Sequence, residues 1–495
     1  MLCALSLESI LKSSLTKRLR LSSSSLSSSS TTPLSHLSLP GPPCWPLVGS
    51  LLDILWKGGL KRQHNIMLEY HKQYGDIFKM KLGNFESVQI GHPILLEELF
   101  RNESQFPQRL EIRPWKVYRD YRDESNGLLT LEGEEWIAVR RPLQQQLLKP
   151  NQIGKCHVRL NKVIENLITQ IDSCCDEKRC MKDIMFELNK WTFQSTCSLL
   201  YNKKVGLLQP TNSKQALTFI MSSKQMMQCL GILMVTSVDL HKKVNSKIWK
   251  QHTEAWDNLF KIAKEYIDMR FLKPTVYTEE DILDEVYQSS QLSRKQLYAV
   301  MTELQIGGVE TTANAMLWAI FNLSRNPKAQ TRLNKEVLKV LPDGQAPTVM
   351  DINKIPFLKA CLKESMRVTP TIPFTSRTLD KDTCVGGYLL PKNTVVMINA
   401  HPMNNKEEYF SDAKLFKPER WLHEKDKIHP FANMPFGFGK RMCIGRRLAE
   451  LQLHLALCRI VQKYRLMATD NDPVEQLMSV VMVPNREIPV AFHKY

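Results

Sequence analysis

The chain has 495 residues, 43% hydrophobic and 24% charged, enough to bury a large core as one large domain or as two or three smaller ones. The formal net charge of +17 points to an anionic partner, whether nucleic acid, acidic protein or anionic membrane surface. The 12 cysteines are scattered, with one cluster in "CCDEKRC" (Cys174, Cys175, Cys180) and no C-x-x-C pair, which argues against a zinc ribbon or a disulfide scaffold and fits a reducing compartment.

Residues 1–38 carry one acid, Glu8, against Lys12, Lys17, Arg18 and Arg20, and then the serine run Ser22–Ser30. Leu7, Leu11, Leu15 and Leu19 recur every four residues and share one helical face. That is the composition of a mitochondrial transit peptide, with a disordered tail as the alternative. No apolar run has the length to span a bilayer, so any membrane contact is with one face. "LPGPPCWPLVGSL" (Leu39–Leu51) reads as a stiff connector. "ILWKGGLKR" (Ile54–Arg62) mixes apolar and basic residues, either to rest on a membrane surface or to pack on the body.

"DIFKMKLGNFESVQIG" (Asp76–Gly91) alternates around Gly83-Asn84 and predicts a β-hairpin; "YLLPKNTVVMINA" (Tyr388–Ala400) is a second strand region. Residues 158–202, 214–230, 247–273 and 328–341 are helical in period. The expected fold is mainly α with a small β region, with one domain over 39–495 behind the leader. Its longest predicted helix is Leu292–Pro327, capped by Ser293 and stopped by Asn326-Pro327, roughly 45–50 Å long. Gly307, Gly308, Glu310, Thr311 and Thr312 interrupt this otherwise apolar helix. Each glycine there costs about 1 kcal/mol relative to alanine. Such a break marks either a functional site or close helix–helix packing.

The stretch "FGFGKRMCIGRRLAE" (Phe436–Glu450) places one thiol, Cys443, among Gly437, Gly439 and Gly445, with Lys440, Arg441, Arg446 and Arg447 around it and a helical pattern behind. The glycines allow close backbone approach, and the cations and the helix start are expected to lower the thiol's pKa. A thiolate in this setting is a nucleophile or a metal ligand.

The pattern Phe436-x-x-Gly439-x-Arg441-x-Cys443-x-Gly445 resembles the cysteine-ligand loop of cytochrome P-450, the haem-thiolate monooxygenases. Three further segments stand in the matching order. "GGVETT" (Gly307–Thr312) is similar to the family's oxygen-side groove and implies a proton relay through Glu310 and Thr311. "ESMR" and "PERW" imply a buried Glu364–Arg367–Arg420 network behind the loop. "WIAVR" implies Trp136 and Arg140 on a haem propionate, with Arg377 and Arg441 as the other propionate partners. The resemblance runs from about Leu39 to the C-terminus, and the leader matches in type the mitochondrial branch.

That branch implies haem b on the Cys443 thiolate and electrons from an adrenodoxin-type mitochondrial ferredoxin with its NADPH-dependent reductase. It implies a peripheral position on the matrix side of the inner membrane. Lys359 and Lys363, four apart on one face, would join Arg446 and Arg447 as the docking surface for that acidic ferredoxin. No nucleic-acid motif is present, so nucleic acid is not the expected partner.

Longer segments, among them "SLLDILWKGGLKRQH", "QRLEIRPWKVYRDYR" and "MVTSVDLHKKVNSKIW", resemble the vitamin D side-chain hydroxylases of this branch. The resemblance implies a secosteroid pocket lined by Ile112, Trp115, Met227, Leu230, Ile372, Thr375 and Ser376. It also implies an open position at Gly307, where those relatives are expected to carry alanine. The competing expectations are another mitochondrial sterol hydroxylase and a non-catalytic haem-thiolate sensor or carrier. Glu310-Thr311 and the basic face favour turnover.

Overall fold

The computed structural model describes residues 33–83, 85–201, 214–272, 282–289, 292–424 and 427–495. The expected leader up to residue 32, and Asn84 at the hairpin turn, lie outside these described residues. The elements that frame the site are helices α1 (Leu51–Trp56), α2 (Arg113–Arg122), α3 (Gly133–Leu147), α4 (His157–Cys174), α5 (Ile184–Tyr201), α6 (Lys214–Leu233), α7 (Lys247–Leu272), α8 (Arg294–Ser324), α9 (Pro327–Val340), α10 (Pro356–Val368) and α11 (Arg446–Lys463).

The strands are β1 (Leu34–Ser35), β2 (Ile77–Leu82), β3 (Phe85–Ile90), β4 (Phe374–Thr378), β5 (Thr383–Val385), β6 (Tyr388–Leu390), β7 (Val395–Asn399), β8 (Tyr464–Ala468), β9 (Gln476–Ser479), β10 (Val481–Pro484) and β11 (Val490–Lys494).

Helix α8 runs through the interior against α5, α7, α10 and α11. Its 31 residues span about 46 Å. Ser293 Oγ accepts from the Gln296 amide while the Gln296 side chain accepts from the Ser293 amide, a capping box that sets the helix start. The second strand region divides between two sheets. β7 lies in the order β2-β3-β7-β4, parallel to β3 and antiparallel to β4, while β6 pairs antiparallel with β5. β1 adds to β6 in parallel, and the Leu34 amide donates to Gly387 O (2.9 Å).

The region helical in period over 158–202 holds two helices, α4 and α5, with a break between them. "CDEKRCM" forms a small hairpin, with Cys175 bridging Met181 and the Arg179 amide donating to Asp176 O (2.9 Å). Arg179 and Asp183 adopt φ of 61° and 49°, outside the helical range, and Asp183 Oδ1 then accepts from Phe186 N (3.1 Å) to start α5. Charged side chains that compete for backbone groups end one helix and cap the next.

Within Ile54–Arg62 the first residue packs on the body. Ile54 is fully buried, while Leu52, Leu55 and Trp56 on α1 are exposed, Trp56 to 92%. No described helix is long and apolar enough to cross a membrane.

Candidate active site

Cys443 lies in the loop between a 3-10 turn at Pro430–Ala432 and α11. Its amide donates to Phe436 O (2.8 Å), which folds the loop back so that the sulfur stands at the helix start. Gly437 and Gly439 adopt φ of +70° and +73°, where a side chain is strained. A Cβ on Gly439 would also lie 2.5 Å from Glu103 Oε2. Gly445 is the N-cap residue of α11, 4.0 Å from the sulfur at the position a Cβ would take.

The thiol is accessible, yet its surroundings are those of the interior. Burial pushes its pKa up, and the Gly445 amide, Arg109, Arg140 and Arg446 oppose that. The expectation of a net downward shift from Lys440, Arg441, Arg446 and Arg447 is corrected, because three of these turn elsewhere. Lys440 donates to Gln105 O (3.1 Å), Arg441 to Pro107 O (2.7 Å) and Leu131 O (3.0 Å), and Arg447 pairs with Glu450 (3.5 Å).

Four guanidiniums gather beside this loop. Arg140 Nη2 on α3 donates to Met442 O (2.7 Å), Arg377 Nη2 on β4 to Phe438 O (3.0 Å), and Arg109 Nη2 to Arg441 O. Arg441 stacks 3.9 Å from the Trp136 ring centroid. Burial and then mutual repulsion lower Arg109 to about 10 and Arg441 to about 9, and burial lowers Arg140 to about 10. Among the described residues the one ion pair to this group is Glu103 Oε1 with Arg377 Nε (2.5 Å). The Nε atoms of Arg109 and Arg140 and the Trp136 indole nitrogen are buried without partners. Orphaned donors and excess positive charge beside a thiol fit a haem: sulfur for the iron, guanidiniums and indole for its carboxylates. Arg109 was not among the expected partners.

On α8, the two glycines differ. A Cβ on Gly308 would come 3.0 Å from Thr196 Oγ1 of α5, so Gly308 serves helix packing. A Cβ on Gly307 would meet nothing within 4 Å, and Gly307 is exposed in the middle of a buried helix. Thr311 Oγ1 donates to Gly307 O (2.6 Å). Glu310 Oε2 is buried without a partner, and burial, weakly opposed by Lys224 of α6, raises this carboxyl to about 7. A group with that pKa exchanges protons readily at neutral pH.

Behind the loop, Glu364 Oε1 accepts from Arg367 Nη2 (2.7 Å), Arg420 Nε (3.0 Å) and Lys417 N (3.0 Å), and Oε2 from Arg367 Nε (2.9 Å) and Trp421 Nε1 (2.9 Å). Both arginines are fully buried. They also bind the carbonyls of Asn404, Ala413, Leu415, Ser411 and Asp412, which ties the 404–420 segment to α10.

The expected pocket residues are unevenly placed. Ile372 is exposed, Ile112, Met227 and Thr375 are half-buried, and Leu230 is buried. Ser376 Oγ accepts from Leu110 N (3.0 Å), fastening β4 to the 107–110 segment. Trp115 is buried edge-on against Trp256 (4.9 Å), and its indole nitrogen lacks an acceptor. The expected docking residues share one region, since α10 lies against α11. Lys359 donates to Asn353 Oδ1 (2.7 Å), Lys363 lies 3.8 Å over the Trp421 ring, and Arg446 pairs with Glu450 (3.0 Å) and lies 5.8 Å from the Phe436 ring centroid.

The family description Cytochrome P450 matches residues 39–492. The chain is 55% identical over 455 residues to the 1,25-dihydroxyvitamin D(3) 24-hydroxylase, mitochondrial, of Rattus norvegicus, covering 92% of this chain and 88% of that protein. The Mus musculus protein of the same name matches at the same identity and coverage. The sterol 26-hydroxylase, mitochondrial, of Homo sapiens is 31% identical over 468 residues, covering 90% of this chain and 88% of the relative.

Glu364→Gln leaves two buried guanidiniums without a counter-charge, a loss of about 3–5 kcal/mol. The expected outcome is a lower melting temperature and a collapse in the yield of soluble protein, read by thermal denaturation and by expression at two temperatures.

Proposed function

This chain belongs to the cytochrome P450 family, and on that premise we propose that it is a mitochondrial monooxygenase hydroxylating the side chain of 1,25-dihydroxyvitamin D and 25-hydroxyvitamin D at C24 and/or C23, which inactivates the hormone. The 55% identity over 92% of the chain carries the substrate reading; the sterol 26-hydroxylase stands much further off, at 31%. Dioxygen is the oxidant, and electrons come singly from a mitochondrial ferredoxin reduced by its NADPH-dependent reductase.

When bound, haem b supplies dioxygen activation and oxidation of an unactivated C–H bond. Cys443 would hold its iron, and Arg109, Arg140, Arg377, Arg441 and Trp136 would hold its carboxylates. Glu310 holds and releases protons at its buried carboxyl, and Thr311 passes them on through its hydroxyl at the open turn of α8. Trp115 of α2 and Met227 and Leu230 of α6 would supply the apolar wall that orients the side chain of the substrate. The exposed apolar residues of α1, beside Lys57, Lys61 and Arg62, fit a peripheral seat on the matrix face of the inner membrane.

Haem-loaded protein supplied with ferredoxin, reductase and NADPH is expected to convert 1,25-dihydroxyvitamin D to side-chain hydroxylated products and to leave cholesterol untouched. Cys443→Ser abolishes both turnover and the reduced carbon monoxide difference spectrum of a thiolate haem. Absence of vitamin D products from the intact enzyme, or oxidation of cholesterol in their place, sinks the reading.

Gly307→Ala puts a methyl group into open space without a clash. A side chain that enters less deeply presents a carbon nearer its tip, so the product ratio moves from C23 toward C24, by about tenfold for one methyl group. Chromatography of the product mixture measures it, and an unchanged ratio discards the idea.

Burial raises the Glu310 carboxyl in the folded protein to about 7, above its ordinary value of 4.5, so its burial costs stability progressively as pH rises through that interval. Glu310→Gln is expected to be more stable than the parent above pH 7, by up to about 3 kcal/mol, with the gap closing in acid. Its turnover falls by at least about tenfold, with substrate affinity kept, as expected for a lost proton-transfer group.

A further inference from the structure

Helix α11 opens with Arg446 and Arg447 and has no acid in its first turn. The start of a helix is its positive end, where cations are disfavoured and carboxylates are favoured. Helix stability therefore does not explain this pair of arginines. Arg446 has a use inside the molecule, as one of the cations that act on Cys443. Arg447 has no such use. It is exposed, 47% for its side chain, and its one ion pair among the described residues is a 3.5 Å approach of Nη1 to Glu450 Oε2.

Glu450 itself is divided. Its Oε1 pairs with Arg446 Nε at 3.0 Å, its Oε2 is left to Arg447, and it also acts on Lys359 of α10. The basic face therefore contains one carboxylate among the cations that an acidic protein has to engage. The arginines precede the glutamate along the helix, the weaker order for such pairs.

We propose that Glu450 is a built-in counter-charge that restrains the docking surface, holding Arg447 in the free enzyme and surrendering it to the carboxylates of a small acidic electron-donating protein. This rests on the reading that the donor docks over Lys359, Lys363, Arg446 and Arg447. An electron carrier that delivers one electron at a time has to leave between deliveries. A competitor within the docking surface weakens the complex and keeps it transient, while the remaining cations still steer the encounter.

The test is binding of an acidic mitochondrial ferredoxin to the haem-loaded full chain, by surface plasmon resonance from low to high salt, for the parent, Glu450→Gln, Arg447→Gln and the double variant. Glu450→Gln is expected to bind about three- to tenfold tighter at low salt, with the difference fading as salt screens the surface. Arg447→Gln binds more weakly, and in its background the Glu450 substitution brings a much smaller gain. Glu450→Ala removes the same charge and serves as a second variant, with melting temperature and the reduced carbon monoxide spectrum as checks of integrity.

Unchanged or weaker binding by both Glu450 variants, or an equal gain with Arg447 absent, overturns the restraint while leaving the docking reading intact. Unchanged binding when Lys359 and Arg447 are both replaced by glutamine shows instead that the donor docks elsewhere, and overturns both.

Discussion

Arg109, Arg140, Arg377 and Arg441 set four positive charges beside the one loop that carries Cys443, and Glu103 answers one of them directly. Like charges in a low-dielectric interior repel strongly, and here they are held by backbone carbonyls drawn from widely separated parts of the chain. Arg140 reaches Met442, Arg377 reaches Phe438, Arg109 reaches Arg441, and Arg441 reaches Pro107 and Leu131. The fold thus converges on an anionic group that the polypeptide does not itself supply. A ligand with two carboxylates would relieve the repulsion and satisfy the buried donors of Trp136, Arg109 and Arg140, and a metal within it would find Cys443 in reach. Cofactor binding and the integrity of this region are then one free-energy term rather than two.

The parts of this site that were legible in sequence are those within a few residues of one another. The Cys443 loop carries its glycines, its arginines and its helix start in a single stretch, and the positive φ of Gly437 and Gly439 is the reason for glycine there. Ser293 with Gln296 at the start of α8 was legible for the same reason. Arg109 and Glu103 were not. They approach the loop from more than three hundred positions away, and nothing in "ESQFPQRLE" distinguishes a buried arginine from a surface one. The break between α4 and α5 is not visible in the period, because apolar spacing resumes on both sides of "CCDEKRC", where the Asp176 and Asp183 carboxylates accept from the Cys180 and Phe186 amides. The electrostatics of the thiol failed in sign: neighbours in sequence were counted as neighbours in space, and burial was left out.

Helix α8 shows why a broken local rule needs a structure to be apportioned. Gly307 and Gly308 carry the same cost in helix propensity. Gly308 returns it through contact with Thr196, and Gly307 returns nothing in packing. The unreturned cost falls one turn before Thr311, whose hydroxyl is held by the Gly307 carbonyl, and beside Glu310, whose carboxyl is buried without a partner. Openness, a hydroxyl and a carboxyl near neutrality thus occupy one turn of an otherwise close-packed rod. The same mutation type, glycine to alanine, is tolerated at one position and obstructed at the next.

The two arginines that open α11 extend the argument from the interior to the surface. Placed at the positive end of a helix, they work against its dipole. What they gain lies on either side of the helix: Arg446 acts inward on the sulfur, and Arg447 stands outward on the face it shares with Lys359. One short segment therefore serves the charge of the metal ligand and the charge of the docking surface together. A change in either use reaches the other through Glu450, the carboxylate that both arginines share.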